Sequence, residues 1–137
     1  MEVIFTNTDI VSKILLLIGM IQLHIVDDYM LQGILASLKQ KQWWEKNYPQ
    51  EIYKNDYKIA LLTHAFSWSF MVMIIPVLVG IHTNNISIVH ITVFIVNWII
   101  HAFIDNKKAN DLVINLWHDQ LLHISQIVMT WVLLIVL

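Results

Sequence analysis

Apolar residues fill four stretches of the chain, about 10–35, 59–79, 86–104 and 112–137, separated by polar connections of unequal character. Each stretch is close to the roughly 20 residues that a helix needs to cross the hydrocarbon core of a bilayer. The few polar residues inside the stretches recur at helical spacing, which predicts helices rather than barrel strands. The pattern predicts an all-α fold: an integral membrane four-helix transmembrane bundle, with residues 1–137 forming a single transmembrane domain.

The connections set an expected orientation. Residues 39–58 read KQKQWWEKNYPQEIYKNDYK, with five lysines interleaved with Trp43, Trp44, Tyr48, Tyr53 and Tyr57. This is the composition of an amphipathic segment lying at headgroup level, and Pro49 should break it into two pieces. The second connection, 82–85, is short and uncharged, and the third, 106–111, holds Lys107 and Lys108. Connections one and three lie on the same side of a four-span bundle and carry seven of the eight lysines. The positive-inside rule then places 36–58 and 105–111 in the cytoplasm and both termini outside. Residues 1–9 carry Glu2 and Asp9 and no basic leader, so the first stretch reads as a mature span rather than a cleaved signal.

Composition narrows the chemistry. The chain is 58% hydrophobic and 13% charged, with mean hydropathy +0.65, against roughly 25% charged residues in a soluble domain. A net charge of −2 gives no reason to expect a nucleic-acid partner. With no cysteine there is no disulfide and no thiolate ligand or nucleophile. Any transition metal must be held by His, Asp, Glu or side-chain amides. No Gly-rich phosphate loop, nucleophile elbow or HExxH motif occurs.

The informative polar residues are paired. His24 with Asp28, His101 with Asp105, and Asp119 with His123 each stand four residues apart, on one helix face. A carboxylate inside a membrane costs about 2.5–3.5 kcal/mol on insertion scales, so repeated placement beside an imidazole implies joint use. Following the spans alternately inward and outward puts all three pairs, and the lone His64, at one depth in the cytoplasmic half. Seven side chains are thereby expected to converge as metal ligands: His24, Asp28, His64, His101, Asp105, Asp119 and His123. Neutral imidazole and carboxylate suit a divalent transition metal, zinc first among them. Four His and three Asp exceed the needs of one tetrahedral ion. The surplus implies either groups that orient the ligands or a second ion. Asp28, Asp105 and Asp119 are the candidate catalytic carboxylates. His24, Asp28, His101 and His123 are the preferred ligands. Against this stands a plainer reading, in which His–Asp contacts only join transmembrane helices or relay protons.

Other positions carry weaker signals. Gln32 and Asn97 extend the His24 and His101 stripes by one turn and could hydrogen-bond a ligand. Asp27 points about 100° from Asp28 on a regular helix, toward another helix or the interface. Lys108 could pair with Asp105, although a lysine snorkelling to the headgroups is the simpler reading. His118 and Gln120 flank Asp119 on other faces without an evident role. His82 and His90 lie toward the outer side.

The motifs HIVDDYMLQ (24–32), LLTHAF (61–66), HAFIDNKK (101–108) and DQLLH (119–123) resemble a family of small bacterial and phage integral membrane proteins of unassigned activity. The shared pattern is HxxxD, a helix His, a second HxxxD with a nearby Lys, then DQxxH, and it spans nearly the whole chain. The resemblance implies a role for Asp28 rather than Asp27, and adds Gln32, Lys108 and Gln120 to the site. It also implies a bacterial inner membrane or the host membrane of a phage as the location, and it transfers no activity.

Three functions follow as expectations. The first is a metal-dependent hydrolase or transferase acting on a lipid or amphipathic substrate from the cytoplasmic leaflet. The second is a small oligomeric transporter or proton/metal conduit. The third is a structural, phage-type membrane protein held by His–Asp contacts. The expected partners are membrane lipids, an amphipathic substrate and, for the conduit, further copies of the chain.

Overall fold

A computed structural model describes residues 10–137, and the reading of residues 1–9 falls outside the described residues. The fold is an all-α bundle. The elements are α1 (Ile10–Ile25), α2 (Leu35–Leu38), α3 (Lys41–Asn47), α4 (Asp56–His82), α5 (Ile88–Ala109) and α6 (Leu116–Trp131). Four helical segments are long and apolar enough to cross a membrane: Ile10–Leu31, Glu51–His82, Ile88–Ala109 and Leu116–Val136. The long helices are neighbours in the ring α1, α4, α5, α6 and back to α1.

The boundaries differ from the hydropathy pattern for local reasons. The first span was expected to reach residue 35. Instead α1 widens into π-helical turns over Val26–Leu31, and the chain then turns at Gly33, whose φ of +49° only glycine adopts without strain. α4 begins earlier and runs further than 59–79, carrying Pro76 within it. At the start of α5, Ser87 and His90 form a capping box. At the start of α6, the Asn115 side chain accepts from the backbone N–H of His118.

The bundle is apolar outward and polar inward. Ile99, Phe103, Phe70 and Leu15 are exposed, while His24, Asp27, His64, His101, Asp105, Asp119 and His123 are buried. Such an arrangement suits a surrounding of hydrocarbon. The apolar core is small: Met20, Trp68, Val72 and Ile127, with Leu17, Ile21, Ile75, Ile124, Trp131 and Ile135 against it. At Gly19 a Cβ would come within 2.7 Å of Ile75 Cδ1, the tip of a side chain on α4 that would have to turn aside.

The first connection folds back under the bundle as α2 and α3, and the chain breaks around Pro49 before a 3₁₀ turn at Glu51–Tyr53. Trp44 Nε1–H donates to the Leu38 carbonyl at 2.7 Å. The backbone N–H of Lys41 donates to Asn110 Oδ1 at 2.7 Å, and Asn110 Nδ2 donates to the Lys39 carbonyl at 3.1 Å. These bonds tie connections one and three together at the same end of the bundle. Trp43, Trp44, Tyr48 and Tyr53 pack as an aromatic cluster beneath it.

Candidate metal centre

All seven expected ligand residues gather at that same end. His24 and Asp28 come from the first span, His64 from α4, His101 and Asp105 from α5, and Asp119 and His123 from α6. The central group is Asp105. Its Oδ2 lies 3.4 Å from His64 Nε2, and its Oδ1 lies 3.3 Å from His123 Nε2 and 3.7 Å from His101 Nε2. Around it, His64 Nε2 lies 3.2 Å from Asp28 Oδ1 and 3.3 Å from His101 Nε2. His123 Nε2 is 3.4 Å from Asp119 Oδ1.

Two triads of ligand atoms lie within 4.8 Å of one another: Asp28, His64 and His101, and His101, Asp105 and His123. A tetrahedral zinc with bonds of about 2.0–2.1 Å holds its ligand atoms about 3.3–3.4 Å apart. The separations above, 3.2–3.7 Å, are close to that spacing. The two triads share His101, and one imidazole Nε2 can serve only one ion.

The rings are held from behind. Trp68 stacks on His101 at 4.2 Å between centroids, and His101 stacks on His123 at 4.1 Å. His64 accepts from the Gln32 amide at Nε2, 3.0 Å away, while its Nδ1 faces Asp27 Oδ2 at 3.7 Å. A carboxylate behind Nδ1 favours the proton there, which is the tautomer that accepts from Gln32 at Nε2, and the Gln32 amide must turn away before that lone pair can take a metal. Asp27 is itself fixed by Ser67 Oγ–H at 2.6 Å. The regular-helix expectation that Asp27 turns away from Asp28 is thus modified. The wide π-helical turns bring both carboxylates inward, and Asp27 is 1% exposed.

His24 is the exception among the preferred ligands. Indole can only donate, so Trp68 Nε1–H donates to His24 Nδ1 at 2.7 Å. The ring proton must then sit on Nε2, which lies 3.1 Å from Gln120 Oε1 and donates to it. Both nitrogens are occupied, and His24 stands beside the triads rather than in them. Gln120 also donates to Asp28 Oδ2 at 3.2 Å and Asp119 Oδ2 at 3.1 Å, so it bridges the first span and α6 at the site.

Two lysines reach the carboxylates. Lys39 Nζ donates to Asp105 Oδ2 at 2.5 Å and Lys108 Nζ to Asp119 Oδ2 at 2.6 Å. Lys108 therefore reaches Asp119, one helix over, in place of Asp105 or the headgroups. Asn97 turns to α6, donating to Thr130 Oγ1 at 2.8 Å, while Gln126 Nε2 donates to Asn97 Oδ1 at 2.9 Å. That layer lies one turn beyond His101 and joins α5 to α6.

Charge and hydrogen-bond balance describe what the cluster lacks. Among the described residues, the only permanent cations paired with the aspartates of the cluster are Lys39, on Asp105, and Lys108, on Asp119. With neutral imidazoles, two negative charges are left uncompensated. Among the described residues, Asp28 Oδ1 and Asp119 Oδ1 are buried acceptors without a hydrogen-bond partner, as is Asp27 Oδ2. Buried charge and orphaned acceptors are costly unless paired or bound to a metal. The donor set, three imidazoles and carboxylates without sulfur, fits a divalent transition metal.

Sequence reasoning missed Lys39, Ser67 and Trp68. Lys39 was grouped with the headgroup lysines, and a serine and a tryptophan on an apolar helix carry no signal by themselves. No protein-family model, curated protein or solved structure matches the chain.

Proposed function

We propose that the chain is an integral membrane protein holding one divalent transition metal, zinc first among the candidates, and acting as a metal-dependent hydrolase or transferase. The substrate would be a lipid or other amphipathic molecule taken from the cytoplasmic leaflet. The observation that carries the reading is the convergence of three imidazole Nε2 atoms and two carboxylates, which with neutral rings leaves the four buried aspartates two charges in excess of Lys39 and Lys108. One divalent ion removes that excess. The proposed ligands are one of the two triads, Asp28, His64 and His101 or His101, Asp105 and His123, either of which leaves a position for water. Asp27 stands behind His64 Nδ1, Gln32 occupies His64 Nε2 until a metal displaces it, and the Trp68 stack holds His101 and His123. When bound, the ion supplies Lewis acidity and a water whose pKa falls to about 7. Asp119, with one oxygen held by Lys108 and the other without a donor, is the group placed to take a proton.

His123 supports a second reading. Its Nε2 lies between Asp105 and Asp119 at 3.3 and 3.4 Å, so an imidazolium there would supply part of the missing charge without a metal. The cluster would then be a proton relay or helix contact. A conduit would need polar groups across the whole thickness. Away from the cluster the buried polar side chains are Ser69, Asn97, Gln126, Thr130 and His90, without a carboxylate, packed with Met20, Val72 and Ile127, which favours a one-sided site. Replacing Asp28 by Ala tests the metal reading: metal content and hydrolysis of ester- or phosphoester-bearing lipids should both fall. Retention of both would remove Asp28 from the site.

A further inference from the structure

A cavity of about 780 Å³ opens between the first span and α6, lined by His24, Ile25, Tyr29, Leu116, Trp117 and Gln120 among others. Its mouth is formed by Tyr29, Leu116 and Trp117, which are 59%, 54% and 75% exposed. Both of its walls are helices long and apolar enough to span a membrane, so in a bilayer the mouth would face lipid. Its floor is polar. His24 is 1% exposed and presents Nε2–H toward Gln120, and Gln120 alone stands there bonded to Asp28 and Asp119. Apolar walls with a polar floor match an amphiphile, not a hydrocarbon and not a free anion, since no lysine lines the cavity.

We propose that this cavity is a lateral portal for an acyl-chain ester or amide drawn from the bilayer. Gln120 is the gate between the portal and the carboxylates. The His24 Nε2–H, fixed in that tautomer by Trp68, is the donor that meets the substrate's carbonyl oxygen when Gln120 swings aside. This assigns His24 to binding substrate rather than metal. The substrate class rests on the hydrolase or transferase reading, whereas the portal itself is tested without it.

The test uses the full chain in phosphatidylcholine vesicles doped with a phosphatidylcholine carrying a photoreactive diazirine on one acyl chain. Adducts are mapped by peptide mass spectrometry, and metal per chain is measured on the same sample. The portal predicts adducts concentrated at Ile25, Tyr29 and Trp117, reduced several-fold in Ile25→Trp, with metal content unchanged. A monoacylglycerol should compete and an alkane of equal chain length should not. Adducts spread evenly over outward residues such as Phe70, Ile99 and Leu133 would overturn the portal, and equal competition by the alkane would overturn the role of its polar floor. Concentrated adducts on protein without metal would keep the portal while removing the metal reading.

Discussion

Removing the Lys39 ammonium separates a charged metal site from a set of neutral helix contacts. Lys39 Nζ lies 2.5 Å from Asp105 Oδ2, and the two side chains are 11% and 3% exposed. Deleting one partner of a buried ion pair costs about 3–5 kcal/mol, because the other charge stays buried and uncompensated. The lower end applies here, since Asp105 Oδ1 keeps His101 and His123 as neighbours. Lys39→Met should therefore destabilise the metal-free protein by about 3 kcal/mol, a factor on the order of a hundred in the unfolding equilibrium. The variant also leaves the cluster with one more uncompensated negative charge, so a divalent ion should restore more stability to it than to the parent. Metal at a hundred times its Kd adds about 2.7 kcal/mol to a folded state that alone binds it. The assay is reversible unfolding by sodium dodecyl sulfate in mixed micelles, followed by far-ultraviolet circular dichroism, with chelator and with added zinc. A loss below about 1 kcal/mol, the size of an exposed ion pair, would refute the premise that Asp105 is a buried charge. An equal loss with and without zinc would refute its place in a metal site.

Other outcomes follow from neighbouring geometry. Asp27→Asn should keep the helical content and weaken metal binding about 10- to 100-fold, because it removes the carboxylate behind His64 Nδ1; equilibrium dialysis against zinc measures it, and unchanged affinity would detach Asp27 from the centre. Gln126→Leu should cost about 0.6 kcal/mol, the usual worth of a hydrogen bond between membrane helices, and leave metal content unchanged, since its amide serves Asn97 alone; metal loss would place the Asn97 layer within the site. Gly33→Ala should destabilise the fold by about 1–2 kcal/mol through its left-handed backbone, and a neutral result in the same micelle titration would contradict that conformation.

Much of the site was legible because the pairs His24–Asp28, His101–Asp105 and Asp119–His123 obey a regular four-residue spacing, and because alternating spans fix relative depth. These local rules brought seven residues to one end without any tertiary information. What they could not supply depends on departures from regular helix and on contacts between distant segments. Asp27 joins the site only because the chain widens into π-helical turns at Val26–Leu31. Lys39 reaches Asp105 only because the first connection folds back beneath the bundle, anchored by Asn110. Lys108 passes to Asp119 on α6, which no spacing along α5 could indicate. His24 carries the same motif as His101, yet a tryptophan 44 positions away occupies its Nδ1 and changes what the ring can do. Gln120 neighbours Asp119 in sequence and turns back to bond it, and its bridge to the first span required the packing of α1 on α6.

The most direct measurement of the central claim is metal per chain on detergent-purified protein by elemental mass spectrometry, beside His101→Ala. His101 belongs to both triads, so its loss removes a ligand whichever triad binds. The account predicts about one equivalent of a single divalent transition metal, since both triads draw on the same His101 Nε2, and its loss in the variant while the helical content stays. No metal in either protein after reloading would contradict the metal centre and leave the His–Asp cluster as a proton relay or a contact between helices.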